Sequence, residues 1–271
     1  MIIMKPLALV SLFCVLISCN SNDVNDNPPS NENINPPPPL ISYTVLNSYP
    51  HDTLSFTEGF LVYDGKLYES TGSPENTPNN GSWIGIIDLK TGKADKKVKL
   101  KKDLFGEGIS ILNGKIYQLT YQNRIGFVYD ATTFKKIKEF NYNGEGWSLT
   151  NDGTNLIMSD GTNKLKYLDP ETLRVLKIVG VEDNNGPVAN INELEYINGI
   201  LYANVWLSNY ILKIDPSSGK VLGKLDFSTV INEVEIKYPG SNEMNGIAYD
   251  AKTNKIYITG KLWPTIYEVK F

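Results

Sequence analysis

Three glutamates and two asparagines recur at one place in a repeated pattern. Glu58, Glu107, Glu145, Asn192 and Asn245 each lie six residues ahead of a tight turn, or at the matching strand start where the turn is irregular. Four are followed by glycine, at Gly59, Gly108, Gly146 and Gly246, as expected where backbones converge and side-chain room is scarce. The ends of the following runs align Gly72, Tyr121, Gly161, Trp206 and Lys261. In an antiparallel hairpin the start of one strand lies beside the end of the next, so both sets fall at one mouth. Trp147, two residues past Glu145, adds an indole there. Crowded carboxyl groups resist full ionisation, which suits them to proton transfer near neutral pH. A lysine and an amide can hold charge growing on an oxygen, and aromatic walls with a few charged groups are the usual form of a small-ligand pocket. Any one of these acids or amides reads more simply as a residue lining a wet channel; the set together reads as a site.

The elements that must position them are short strands. Apolar-polar alternation runs through the domain without a long stretch of helical period, so the fold class is all-β. Turn pairs stand at Asp64-Gly65, Asn113-Gly114, Asp152-Gly153 and Asn198-Gly199, with a looser turn from Asp250 to Asn254; each separates two apolar runs in the manner of a hairpin. A third strand ending in Asp88, Asp130, Asp169 or Asp215 follows in the first four units, and then a fourth, outer strand. A repeat of roughly 47 residues with four strands per unit predicts a five-bladed β-propeller. The last unit stops after its third strand, and the run from Ile41 to Tyr49 is the spare strand that closes the ring and removes its open edges.

Before that domain come two segments of other kinds. Lys5 and the apolar run from Pro6 to Ile17 are too short to span a bilayer and read as a signal peptide. Leu16-Ile17-Ser18-Cys19 resembles a bacterial lipobox, so residues 1–19 are expected to be a leader and Cys19 the lipidated residue. Residues 20–40, nearly all Asn, Asp, Ser, Glu and Pro, are expected to be a disordered tether. The expected location is the cell envelope, lipid-anchored on a periplasmic or outer-membrane face, with the anchor as the sole membrane contact. About 230 residues from Ile41 onward are left for the propeller. Both cysteines lie in the leader, and His51 is the only histidine; a catalytic zinc site normally draws on several imidazoles or thiolates, so neither a metal nor another cofactor is expected. A net charge of −4 gives no basic footprint for nucleic acid. A monomer is expected.

Several of these strings form a pattern in order. Phe56-Thr57-Glu58-Gly59, Phe105-Gly106-Glu107-Gly108, Glu145-Gly146-Trp147-Ser148-Leu149-Thr150, Ser159-Asp160-Gly161-Thr162, Ile191-Asn192-Glu193-Leu194-Glu195, Asn204-Val205-Trp206 and Thr259-Gly260-Lys261-Leu262-Trp263-Pro264 together resemble the plant-type glutaminyl cyclases and their bacterial relatives. The resemblance runs from about Tyr49 to Phe271. It implies a five-bladed propeller without a catalytic metal that closes an N-terminal glutamine of a peptide or protein into pyroglutamate and releases ammonia. It maps the catalytic glutamate onto Glu107 and other cavity residues onto Phe56, Trp147, Asn192, Trp206 and Lys261. Two positions depart: the first motif in the plant enzymes usually has glutamine where Glu58 stands, and Tyr121 stands where a tryptophan is expected.

On this reading Glu107 shuttles the proton, Lys261 and Asn192 hold the amide and its developing oxyanion, and Phe56, Glu58, Tyr121, Glu145, Trp147 and Trp206 bind the substrate. Glu58 and Glu145 push the Glu107 pKa up and Lys261 pushes it down, so the net sign stays open. Two rivals are a propeller that binds a peptide or cell-wall fragment without chemistry, and a calcium-dependent lactonase-type propeller using Glu58, Glu107, Asn192 and Asn245 as oxygen ligands. A lysine at the same mouth opposes a bound cation.

Overall fold

The computed structural model describes residues 36–75 and 81–271; Cys19, the leader and most of the expected tether lie outside the described residues. Five four-stranded antiparallel sheets account for nearly all the strands. Blade 1 runs outward through Phe56–Tyr63, Lys66–Gly72, Trp83–Asp88 and Lys93–Lys99, and blade 2 through Gly106–Leu112, Lys115–Thr120, Ile125–Asp130 and Lys136–Asn141. Blade 3 uses Ser148–Asn151, Leu156–Ser159, Lys164–Leu168 and Val175–Gly180; blade 4 uses Ile191–Ile197, Ile200–Val205, Tyr210–Ile214 and Val221–Asp226. Blade 5 takes Met244–Asp250, Lys255–Gly260 and Thr265–Lys270 from the end of the chain, and its outer strand, Thr44–Pro50, from the beginning. The chain is a five-bladed β-propeller.

Local sequence explains the hairpins. Asp64 and Gly65, Asn113 and Gly114, and Asn198 and Gly199 all have positive φ, the two-residue turn whose twist matches that of the flanking strands. An apolar cluster fills each wedge between neighbouring blades among the described residues; Leu61, Tyr68 and Ile84 of blade 1, for example, pack on Ile109, Ile116 and Phe127 of blade 2. Both faces of the inner strands are therefore buried, and alternation fades there into continuous burial, as along Gly106–Leu112.

Ring closure rests on more than strand pairing. Thr44 pairs with Lys270 and Pro50 with Thr265, and Asn47 and Tyr49 both donate to Glu268, at 3.0 and 2.7 Å. His51 follows at once and is 7% exposed. Its Nδ1 lies 3.0 Å from the Trp263 carbonyl of blade 5, and its Nε2 lies 3.2 Å from Glu69 Oε1 of blade 1. Burial alone would lower its pKa, but the Glu69 carboxylate and the Trp263 carbonyl outweigh this and raise it. The sole histidine is a clasp across the seam.

Two features differ from expectation. The helix Ser228–Lys237 lies between blades 4 and 5. Its run STVINEVEIK is rich in β-branched residues, which favour strands, and the spacing of its buried Val230, Ile231 and Val234 is the only helical cue. The expected tether also ends earlier than Leu40. The Ile41 amide donates to the Lys224 carbonyl at 2.8 Å and the Lys224 amide to Pro39 at 2.9 Å. The outer strand of blade 4 offers unpaired backbone groups, and this segment satisfies some of them.

Candidate active site

The innermost strands carry the same irregularity in four blades. Register shifts fall between Thr57 and Gly59, Gly106 and Ile109, Ile191 and Leu194, and Met244 and Ile247. Each interval contains one of the aligned residues: Glu58, Glu107, Asn192 or Asn245. An extra residue in one strand re-aims the side chains beside it, so the bulge turns these groups out of the sheet alternation and toward the channel. The glycines beside them make the convergence possible. A Cβ on Gly59 would stand 2.7 Å from the Ile109 amide nitrogen, and one on Gly108 would stand 2.5 Å from the Ser148 Cα.

Glu58, Glu107, Asn192 and Lys261 meet in one cavity of about 550 Å³ with Phe56, Tyr121, Trp147 and Trp206. All four polar residues are 3–6% exposed. Lys261 Nζ sits 2.9 Å from Glu58 Oε1 and 4.7 Å from the centre of the Phe56 ring. Asn245 is fully buried behind Glu58 and donates to its Oε2 at 3.2 Å. Glu58 and Glu107 line the same cavity, and each shifts the other's pKa. The Asn192 Oδ1 is buried and has no hydrogen-bond partner, leaving an unused polar atom in the cavity lining.

The electrostatics answer the sign left open above. Burial raises the Glu107 pKa well above the ordinary carboxyl value, and Glu58 raises it further; Lys261 lowers it but does not cancel these effects. Burial likewise pushes Glu58 up to about 7, with Lys261 again working downward. Burial would lower the Lys261 pKa, but the two carboxylates raise it overall. Burial and the crowding of the two carboxyl groups thus favour a proton on the pair, while the carboxylates favour the charged form of Lys261.

The walls are aromatic. Trp147 and Trp206 meet edge to face at 5.6 Å, and Phe105 bridges Phe56 and Tyr121 at 6.2 and 6.0 Å. Glycines seat them: a Cβ on Gly161 would come within 2.4 Å of the Trp147 ring, and one on Gly72 within 2.2 Å of the Phe105 ring. Gly72 and Gly161 therefore hold aligned positions because an aromatic ring lies over each, Phe105 of the next blade over Gly72 and Trp147 of the same blade over Gly161.

Glu145 does not line the cavity with the other predicted substrate-binding residues. The inner strand of blade 3 begins only at Ser148, so Glu145 lies in the approach to it. There it accepts from the Trp147 Nε1 at 2.9 Å and from Gln122 at 3.0 Å. It holds the indole rather than facing the cavity. Conversely, Phe105, Glu75, Asn242 and Glu243 line the cavity without having been singled out. Phe105 directly precedes Gly106-Glu107, the one available signal; the other three lie outside the repeat.

A sequence model described as glutamine cyclotransferase matches residues 13–271. The chain belongs to the glutamine cyclotransferase family. It is 37% identical over 230 residues to a glutaminyl-peptide cyclotransferase of Arabidopsis thaliana, which covers 83% of this chain and 70% of that protein. Its fold is similar to that of the Myxococcus xanthus glutaminyl cyclase seen by crystallography, with a TM-score of 0.79 and 32% identity over 86% of this chain and 97% of that one. For this cyclotransferase fold the lysine geometry also weighs against the calcium arrangement. Glu58 is already ion-paired with Lys261, and a cation placed between Glu58 and Glu107 would meet that ammonium.

Proposed function

We propose that the chain is a glutaminyl-peptide cyclotransferase that converts an N-terminal glutamine to pyroglutamate with release of ammonia. Besides family membership, the observation that carries this reading is the convergence of Glu107, Glu58 and Lys261, the last two ion-paired at 2.9 Å, inside one aromatic cavity open to solvent.

The α-amine, with an ordinary pKa near 7.7 to 8, is partly neutral at physiological pH and attacks its own γ-carbonyl carbon. The carbonyl π bond breaks, and its electron pair moves onto oxygen, where Lys261 and Asn192 stabilise the oxyanion. Glu107 then gives its proton to the departing nitrogen. The C–N bond breaks as ammonia leaves, and the carbonyl re-forms. The Glu107 carboxylate takes the extra proton from the new ring nitrogen and is an acid again, so one group performs both transfers. Trp147 and Trp206 hold the side chain bent so that the amine stays near its target, which replaces freedom lost in the reaction.

We also infer that the protein is secreted and held at the cell envelope by a lipid on Cys19, as the lipobox-like Leu16-Ile17-Ser18-Cys19 supports. Metabolic labelling with a palmitate analogue tests this: Cys19→Ala loses the label, and a labelled variant refutes the assignment.

The test of the main reading is ammonia release from Gln-Phe by wild type and Glu107→Gln side by side. Wild type turns over, while the variant binds the dipeptide but loses turnover by several orders of magnitude. Unchanged turnover removes Glu107 from the chemistry, and an inactive wild type favours a propeller that only binds.

A further inference from the structure

Beside the main cavity lies a second hollow of about 290 Å³, and the two share Asn242 and Glu243. This dividing wall is fixed to the catalytic lysine by backbone pairing: the Asn242 amide donates to the Lys261 carbonyl at 2.8 Å, and the Lys261 amide to the Glu243 carbonyl at 2.9 Å. The floor is apolar, with Ile231 and Met244 almost wholly buried, and Leu207 stands on the rim with 65% of its surface exposed. The Ser241 hydroxyl in its lining is buried without a hydrogen-bond partner. Glu235 of the helix and Glu243 of the wall line the hollow, and neither has an ion-pair partner among the described residues.

A peptide with its first residue in the main cavity must carry its second residue past the rim, and one extended residue advances the chain by only about 3.3–3.6 Å. The adjoining hollow is the compartment next to the main cavity, walled by the same two residues. An apolar floor with acids at its edge suits a side chain with an aliphatic stem and a cationic tip, whose stem covers apolar surface while its head meets the carboxylates. Ser241 supplies an unused donor and acceptor for the passing main chain. We propose that this hollow is the subsite for the residue following the N-terminal glutamine, and that it favours lysine or arginine there. The inference rests on the reading of the main cavity as the glutamine site.

The test compares kcat/KM for Gln-Lys-amide, Gln-Glu-amide and glutaminamide, in wild type and in Glu235→Lys. That exchange replaces one strong helix former by another at an exposed position, so folding is retained. Wild type should favour Gln-Lys-amide over Gln-Glu-amide by about tenfold at low salt, with the ratio shrinking as salt is added. Glu235→Lys should compress the ratio at least about threefold. Glutaminamide, which has no second residue, reports the reaction itself. If wild type cyclises glutaminamide but shows no preference, or if the ratio is the same in the variant, the subsite is wrong and the enzyme reading stands. If wild type releases no ammonia from any of the three, both fall.

Discussion

Lys261 and Glu58 form an ion pair almost sealed from solvent, with Nζ 2.9 Å from Oε1 and side-chain exposures of 7% and 4%. Removing one partner of such a pair strands the other charge, whereas the intact pair roughly offsets its own desolvation. The pair also sets how many protons the neighbouring Glu107 cluster holds.

Lys261→Met keeps the length of the stem and removes the charge. Both Glu58 and Glu107 lose the group that lowers their pKa, so both are protonated over a wider range. The lost oxyanion donor should reduce kcat by about 10²- to 10³-fold. Steady-state kinetics separate the roles: a rise in KM with kcat unchanged would assign Lys261 to ground-state binding.

Glu58→Gln restores the residue usual in the plant relatives and retains an acceptor for Lys261. The Glu58 charge is among the influences that raise Glu107. Without it the Glu107 pKa falls, and Glu107 loses its proton at lower pH. The alkaline limb of the kcat profile should therefore move to lower pH in the variant. A shift toward higher pH, or none, would contradict the proposed coupling.

Gly161→Ala introduces a Cβ into the Trp147 ring at a residue with φ of +77°. The ring must leave its place against Trp206, while the blade itself keeps its strands. We expect a fall in kcat/KM of roughly 10- to 100-fold and a change in tryptophan fluorescence, with the thermal midpoint lowered by only a few degrees. Wild-type kinetics would mean that the indole is not part of the substrate wall.

His51→Ala removes the clasp at the seam and, at a pH where the imidazole is protonated, leaves Glu69 buried without that cation, a loss of about 3–5 kcal/mol. A histidine with a raised folded pKa gives stability that is complete below its unfolded value near 6.5 and lost as pH rises through the folded value. The gap in denaturation midpoint between wild type and variant should thus be widest near pH 6 and narrow toward alkaline pH. A gap that stays constant would assign His51 to packing alone.

The ring was legible because its parts are local. Asp64-Gly65, Asn113-Gly114 and Asn198-Gly199 force hairpins through their own backbone preferences, and alternation marks the outer strands. The convergence of Glu58, Glu107 and Asn192 followed from symmetry, since equivalent positions in equivalent blades must face one mouth, and Lys261 joined them because the end of a hairpin's second strand lies beside the start of its first. What broke the repeat was harder to read. Glu145 sits where alignment put it, but its strand starts three residues later, and the side chain turns to the Trp147 indole. Asn242 and Glu243 belong to no blade: they follow a helix whose β-branched residues disguise it, and their position depends on tertiary pairing with Lys261. The sign of the Glu107 shift likewise needed burial and distances.

Asn47 and Glu268 touch across 221 positions of chain. Along the chain the strand Thr44–Pro50 is the first of the propeller, and its partner Thr265–Lys270 is the last of the propeller's described strands. Without that partner Thr44–Pro50 has no strand to pair with, and an unpaired edge is a template for pairing with a neighbouring chain. Completion of the enzyme is in this sense a single late event, and the channel mouth takes its final outline only when the two ends of the propeller find each other.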